Sequence, residues 1–242
     1  MRSFLLASFV ALSAAADGAV ISIDSINRMV TSSVSGGTSD VQQSSASGVF
    51  QKQASTPNGS DGGTATAFQN TQVLGGEIFS FYSDSDLSVS GSRGSGFAPV
   101  SLNSESLVEV NFTIPQEAGV SGFWIGGSYT IVGDSADGSP RVAWSLASTG
   151  VGASQIFGRS ANSGVGVSLN EIGTIGPGSY ELSFNAHVGN TGLGGFIGSN
   201  AQGGAAFQGL SVIVSPITSV PEPSTALLVF LSGCVLFRRR RS

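Results

Sequence analysis

The sequence predicts an all-β chain folded as an antiparallel β-sandwich, jelly-roll-like in size. Three observations predict it. Apolar and polar residues alternate at period two in segment after segment, the pattern of a strand with one buried and one solvated face. Turn signals built from glycine with aspartate or proline separate those segments. Between the two ends of the chain, no stretch of useful length has helical periodicity, and 35 glycines in 242 residues disfavour long helices.

Four segments carry the clearest alternation. In Val108–Ile114 one face is Val108, Val110, Phe112 and Ile114 and the other is Glu109, Asn111 and Thr113. In Val142–Leu146 the large residues Val142, Trp144 and Leu146 share a face. Tyr180–Val188 alternates throughout, and Leu210, Val212 and Val214 repeat the pattern. Weaker strands fit Val20–Ile26, Thr64–Leu74, Glu77–Tyr82, Leu87–Ser90, Phe123–Val132, Ser154–Gly158 and Gly164–Ile172. Turns are expected at Asp61-Gly62-Gly63, Gly75-Gly76, Asp137-Gly138-Ser139-Pro140 and Gly176-Pro177-Gly178. Residues 31–63 are poorest in bulky groups and read as a loop-rich region or as polar edge strands. The sandwich is expected to span residues 17–214, with a linker at 215–219. No internal repeat suggests a propeller or solenoid.

Composition narrows the function. The chain has 10 basic and 15 acidic side chains, net −5. Setting aside Arg2, Arg238–Arg241 and Glu222, which belong to the ends, leaves five basic and fourteen acidic residues on the body, net −9. Such a surface repels nucleic acid and anionic lipid, and Lys52 is the only lysine. The one cysteine, Cys234, lies in the apolar tail, so the body has no disulfide and no thiol chemistry.

Motifs for catalysis are sparse. His187 is the single histidine; the alternation of its strand puts it on the outward face with Glu181, as an ordinary exposed side chain. A Ser-His-Asp triad would have to use it, and no G-x-S-x-G elbow supports one. Glu77, Glu109 and Glu181 are candidate carboxylates for glycoside hydrolysis, but the sequence does not pair them across a cleft. Asp84-Ser85-Asp86 and Asp134–Asp137 read as loop carboxylates able to hold calcium, yet neither fits an EF-hand loop. Gly192-Leu193-Gly194-Gly195 lacks the third glycine of a dinucleotide fingerprint and reads as a turn. No catalytic residue, metal site or cofactor is expected, and the chain is read as non-enzymatic. Phe123, Trp124, Tyr129 and Trp144 are candidates for a sugar-stacking surface; alternation assigns Trp144 to the core and leaves Trp124 as the candidate glycan contact.

The two ends carry sorting information. At the N-terminus, Met1-Arg2 is a small positive region, Phe4–Leu12 is apolar, and Ala14-Ala15-Ala16 offers a cleavage site with Ala14 and Ala16 at its small positions. Residues 1–16 therefore read as a signal peptide removed by signal peptidase. At the C-terminus, Pro221-Glu222-Pro223 forbids helix, and the stretch 224–237 follows, apolar on all sides at Ala226–Leu231 and Val235–Phe237. As a helix it would span only ~21 Å, against ~30 Å of hydrocarbon, so it reads as a short transmembrane helix. Arg238, Arg239, Arg240 and Arg241 then form a basic stop that stays in the cytoplasm.

Residues 220–242 resemble the PEP-CTERM sorting signal of bacterial surface proteins: the Pro221-Glu222-Pro223 motif, the apolar segment and the terminal arginines, in that order. The resemblance is confined to the tail. It implies recognition by exosortase, a membrane-embedded Cys-type transpeptidase, with cleavage near the motif. It also implies an intermediate anchored in the inner membrane and release to the cell surface or extracellular matrix. The expected function is an exported surface or matrix protein with a structural or adhesive sandwich. The alternative is a module that binds extracellular polysaccharide, and a third reading is a surface glycoside hydrolase.

Overall fold

The structure, a computed structural model, describes residues 20–34, 39–46, 48–57, 64–92, 102–133, 140–150, 152–189 and 200–217. The expected signal peptide and sorting tail lie outside them. The strands are β1 (Ser22–Val34), β2 (Asp40–Ser44), β3 (Gly48–Pro57), β4 (Thr64–Leu74), β5 (Phe79–Ser92), β6 (Leu102–Ile114), β7 (Ser121–Val132), β8 (Arg141–Ser148), β9 (Gln155–Ala161), β10 (Gly164–Ile175), β11 (Gly178–Gly189) and β12 (Asn200–Pro216). A 3-10 turn, Gln116–Ala118, joins β6 to β7.

Two six-stranded antiparallel sheets pack face to face. Their orders are β2-β1-β6-β11-β8-β9 and β10-β7-β12-β5-β4-β3. Four pairs nest inside one another: β5 with β12, β6 with β11, β7 with β10, and β8 with β9. Successive pairs fall alternately in the two sheets, which is the connectivity of a jelly roll. β1 and β2 widen one sheet beyond β6, while β3 and β4 widen the other beyond β5.

The core divides into an aromatic part and a polar part. Rings from the two sheets meet in a chain: Phe79 stacks on Phe112 at 4.7 Å, Phe81 on Phe184 at 5.3 Å, and Phe207 meets both Phe184 and Trp144 edge-on. Each such pair adds about 0.5–1.5 kcal/mol beyond the area it buries. Toward β1, β3 and β4 the inner positions become hydroxylic. Ser32 and Thr56 share a hydrogen bond of 2.9 Å, and Thr71 and Ser83 share one of 3.0 Å. Pairing their hydroxyls is what lets these residues be buried cheaply.

That polar core explains where the strands differ from expectation. The two strands expected at Glu77–Tyr82 and Leu87–Ser90 merge into one, β5, which begins at Phe79, with Glu77 and Ile78 in the bend before it. Ser83 and Ser85 face inward within it, and Ser85 Oγ accepts the Phe207 N–H at 3.2 Å, so pairing continues through the polar stretch. Asp84 and Asp86 are therefore mid-strand residues rather than loop ligands for calcium. Residues 31–57 hold the end of β1 and the polar edge strands β2 and β3. Ser215 and Pro216, expected in the linker, belong to β12, opposite Gly122 and Ser121, and Ile217 N–H donates to Val120 O.

Candidate functional site

The outer face of the sheet β10-β7-β12-β5-β4-β3 carries a run of exposed apolar side chains in register. Ile172, Trp124, Ile213, Ser80 and Leu74 form one cross-strand row, from β10 to β4. The adjacent row is Asn170, Gly126, Ser211, Tyr82 and Gln72. Paired residues point to one face of a sheet, so these ten positions form one surface. Trp124 is 38% exposed, Tyr82 39% and Ile172 72%.

The two aromatic residues are held in place. A Cβ built on Gly126 would lie 2.0 Å from Trp124 Cζ2, so the indole occupies the space above Gly126. Gly126 is two residues along the strand, so the ring lies along the sheet rather than standing away from it. Its Nε1–H donates to Asn170 Oδ1 at 3.0 Å, and Asn170 sits directly opposite Gly126. Tyr82 donates its hydroxyl to the Asp84 carboxylate. Asp84 Oδ1 in turn accepts the Gly209 N–H at 2.6 Å. Gly209 has φ +59° at a β-bulge where β12 shifts register against both neighbours, a conformation glycine adopts without a Cβ clash. The Asp84 hydrogen bond, then burial and the Asp84 charge, raise the Tyr82 pKa, so its hydroxyl remains a donor at neutral pH.

Between Tyr82 and Ile213 the surface dips into a hollow of about 200 Å³, lined also by Gln72, Leu74 and Ser211. The surface therefore offers a pre-set indole, a phenol and aliphatic side chains beside amide and hydroxyl groups. That combination suits a ligand with apolar faces and many hydroxyls, such as a sugar chain. Of the four aromatic residues singled out in the sequence, only Trp124 reaches this face. Trp144, Phe123 and Tyr129 are buried in the core. Sequence reasoning missed Tyr82, Ile213 and Ile172; their place in the strand alternation was the available signal.

The other candidates do not assemble into a site. His187 lies on the outward-pointing side of β11, as expected, but it is 3% exposed rather than an ordinary surface residue. The reason is its position: Glu105 and Arg141 flank it on β6 and β8, and Ala186–Gly189 are buried on both faces, so exposure stops alternating before the strand ends. Neither ring nitrogen has a hydrogen-bond partner among the described residues. Burial first, and then the Arg141 charge, lower the His187 pKa, with Glu105 opposing them.

A histidine held neutral in the fold destabilises it on acidification. Below the unfolded pKa of about 6.5 the unfolded chain takes up a proton that the native chain does not. His187 should therefore contribute full stability above about pH 6.5 and progressively less as pH falls below it, toward its lowered native pKa. Thermal unfolding at pH 7 and pH 5 should show a larger loss for the wild type than for His187→Gln. Equal losses would mean that His187 is solvated.

Register brings Glu109, opposite Ser183, diagonally next to Glu181, with Cβ atoms on the order of 7 Å apart. The pair lies on the open outer face of the other sheet, and Glu109 accepts a hydrogen bond from Asn27 at 2.9 Å. Glu77 is far away in the turn before β5. A second hollow, of about 330 Å³, is lined by Ser145, Arg159, Ser183 and Asn185 among others, and no carboxylate lines it. Among the described residues no three His, Cys, Asp or Glu side chains gather around a common point. Nor is any helix among them long and apolar enough to cross a membrane. Ala14, Ala16, Pro221–Pro223, the helix expected at 224–237, Arg238–Arg241, Asp134–Asp137 and Gly192–Gly195 all lie outside the described residues.

No family model and no curated protein matches the chain. A solved structure of infectious bursal disease virus Gt strain is similar over 84% of this chain and 58% of the viral one, at 10% identity and a TM-score of 0.26. The chain thus spans less than two thirds of that protein, and so low a score carries no argument about function.

Proposed function

We propose that this chain is an exported bacterial surface or extracellular-matrix protein, sorted by exosortase through its PEP-CTERM-like tail, with a non-catalytic sandwich as the delivered part. The observation that carries the reading is the order of three tail segments: Pro221-Glu222-Pro223, the apolar stretch 224–237, and Arg238–Arg241. Each has a physical task. The prolines keep an extended, accessible peptide next to the membrane. The short apolar helix anchors the chain until processing, and the arginines fix its orientation. The signal peptide at residues 1–16 places the body on the outer side of the inner membrane. Signal peptidase and exosortase are the processing partners.

Cell fractionation tests this in a host that has exosortase. The wild type should leave the membrane fraction, and Pro221→Ala with Glu222→Ala should remain in it. Equal retention of both would make the tail a permanent anchor.

A second reading is favoured by one observation, the pinned Trp124–Tyr82 surface. It supports binding of a neutral extracellular polysaccharide. An acidic body disfavours a polyanion, and the indole and phenol are already fixed, so little ordering entropy is lost on binding. Trp124 is then the principal glycan contact.

A further inference from the structure

The four edge strands of the sandwich are not alike. On one side, β2 has only five residues, and its Asp40 carboxylate accepts the Ser55 N–H of β3 at 3.0 Å. β3 carries Lys52 and ends at Pro57. On the other side, β9 has seven residues, includes Arg159, and shifts register against β8 between Leu146 and Ala147. Short length, lysine, proline, bulges and side chains covering edge amides are the devices that keep sheet edges from pairing with other chains.

β10 has few of them. It is twelve residues long, Gly164–Ile175, with no lysine, arginine or proline. It pairs with β7 on one side, and among the described residues nothing pairs with the other. Seven of its residues are exposed, Val165 at 77% and Ile172 at 72%. Its one register shift lies at the Gly164 end, leaving Val167–Ile175 continuous. Its only charge, Glu171, is paired with Arg159 of β9 at 3.5 Å. On a body of net −9 this is a neutral strip.

We infer that β10 is a homophilic docking edge, at which the β10 of a second copy adds antiparallel to form a symmetric dimer. A second strand is the occupant that matches an exposed edge in register, replacing water along its whole row of amides and carbonyls. An antiparallel pair of identical strands is self-complementary about a two-fold axis. The local neutrality lets two otherwise acidic bodies meet here without like-charge repulsion. The pairing joins two six-stranded sheets into one continuous sheet. It sets the two Trp124 surfaces on the same side of the joined sheet, since Ile172 on β10 is the direct neighbour of Trp124.

The test is the mass of the detergent-solubilised full chain by light scattering and sedimentation, with bound detergent subtracted. The wild type should be a concentration-dependent dimer. Val165→Lys/Ile172→Lys should be monomeric, and so should Val165→Glu/Ile172→Glu, with the circular dichroism of the wild type because both positions are exposed. Mixing the two variants should restore the dimer. Val49→Lys on β3, also exposed, should behave as the wild type. A monomeric wild type overturns the proposal, and so does a lysine variant that keeps the wild-type mass.

Discussion

Replacing Arg28 by alanine is expected to cost the sandwich roughly 3 kcal/mol, seen as a lowered urea midpoint with an unchanged slope. Arg28 lies on the inner face of β1 between Ile26 and Val30 and is 1% exposed. No acid neutralises it among the described residues. Its guanidinium instead donates to the backbone carbonyls of Gly48 at 2.7 Å, Thr71 at 3.4 Å and Ala46. It also sits 5.1 Å from the centre of the Phe50 ring. Burial lowers its pKa, and the carbonyls and ring stand in for water at Nη1 and Nη2, while Nε has no partner among the described residues.

The side chain thus fastens the connection between β2 and β3 to the inside of the sandwich. Truncation leaves three carbonyls without their donor, at about 1–3 kcal/mol for each that stays buried, and opens a cavity. Part of this is recovered when the connection swings out to water. Against a usual total of about 5–15 kcal/mol the remainder is large. Arg28→Lys should recover only part of the loss, because one ammonium cannot reproduce the guanidinium fork. A cost near zero for Arg28→Ala would mean that the clamp contributes no net stability.

Trp124→Ala is expected to lower affinity for a neutral polysaccharide at least 30-fold, about 2 kcal/mol, the scale of an aromatic hot spot. Stability should change little, since the side chain lies outside the core. Gly126→Ala separates geometry from mere presence of the indole. It keeps the tryptophan but places a methyl group where the ring lies, so binding should fall although Trp124 remains. Titrating a soluble neutral glucan and an anionic uronan while following tryptophan emission reads both effects, because Trp144 is buried and only Trp124 meets solvent. A wild type that ignores both polymers would remove the polysaccharide reading and leave the sorting proposal standing.

The strands were legible where a side chain's size matched its face. Thr64–Leu74 was expected with the bounds of β4, and Val108–Ile114 and Tyr180–Val188 lie within β6 and β11. Legibility failed where polar residues do core work. Ser83, Ser85, Ser32 and Thr56 face inward as hydrogen-bonded hydroxyls, so the middle of β5 looked like a break, and residues 31–63 read as either a loop-rich region or the polar edge strands they partly are. Arg28 was passed over because a buried guanidinium without an acid leaves no sequence signature; its partners are backbone carbonyls of β3, β4 and the β2–β3 connection. The Trp124 surface was half legible. Alternation separated the two tryptophans, but Tyr82, Asn170 and Gly126 come together only through the registers of β5, β7, β10 and β12. His187 shows the opposite limit: parity gave its side of the strand correctly, and burial depended on neighbours that parity does not encode.

The most direct test of the central claim is the intact mass of the protein recovered from the medium or matrix of an exosortase-bearing host. The account predicts a species lacking residues 1–16 at one end and cut near Val220–Ser224 at the other, absent when Pro221 and Glu222 are both alanine. A wild-type protein that retains Arg238–Arg241 in every fraction would contradict it.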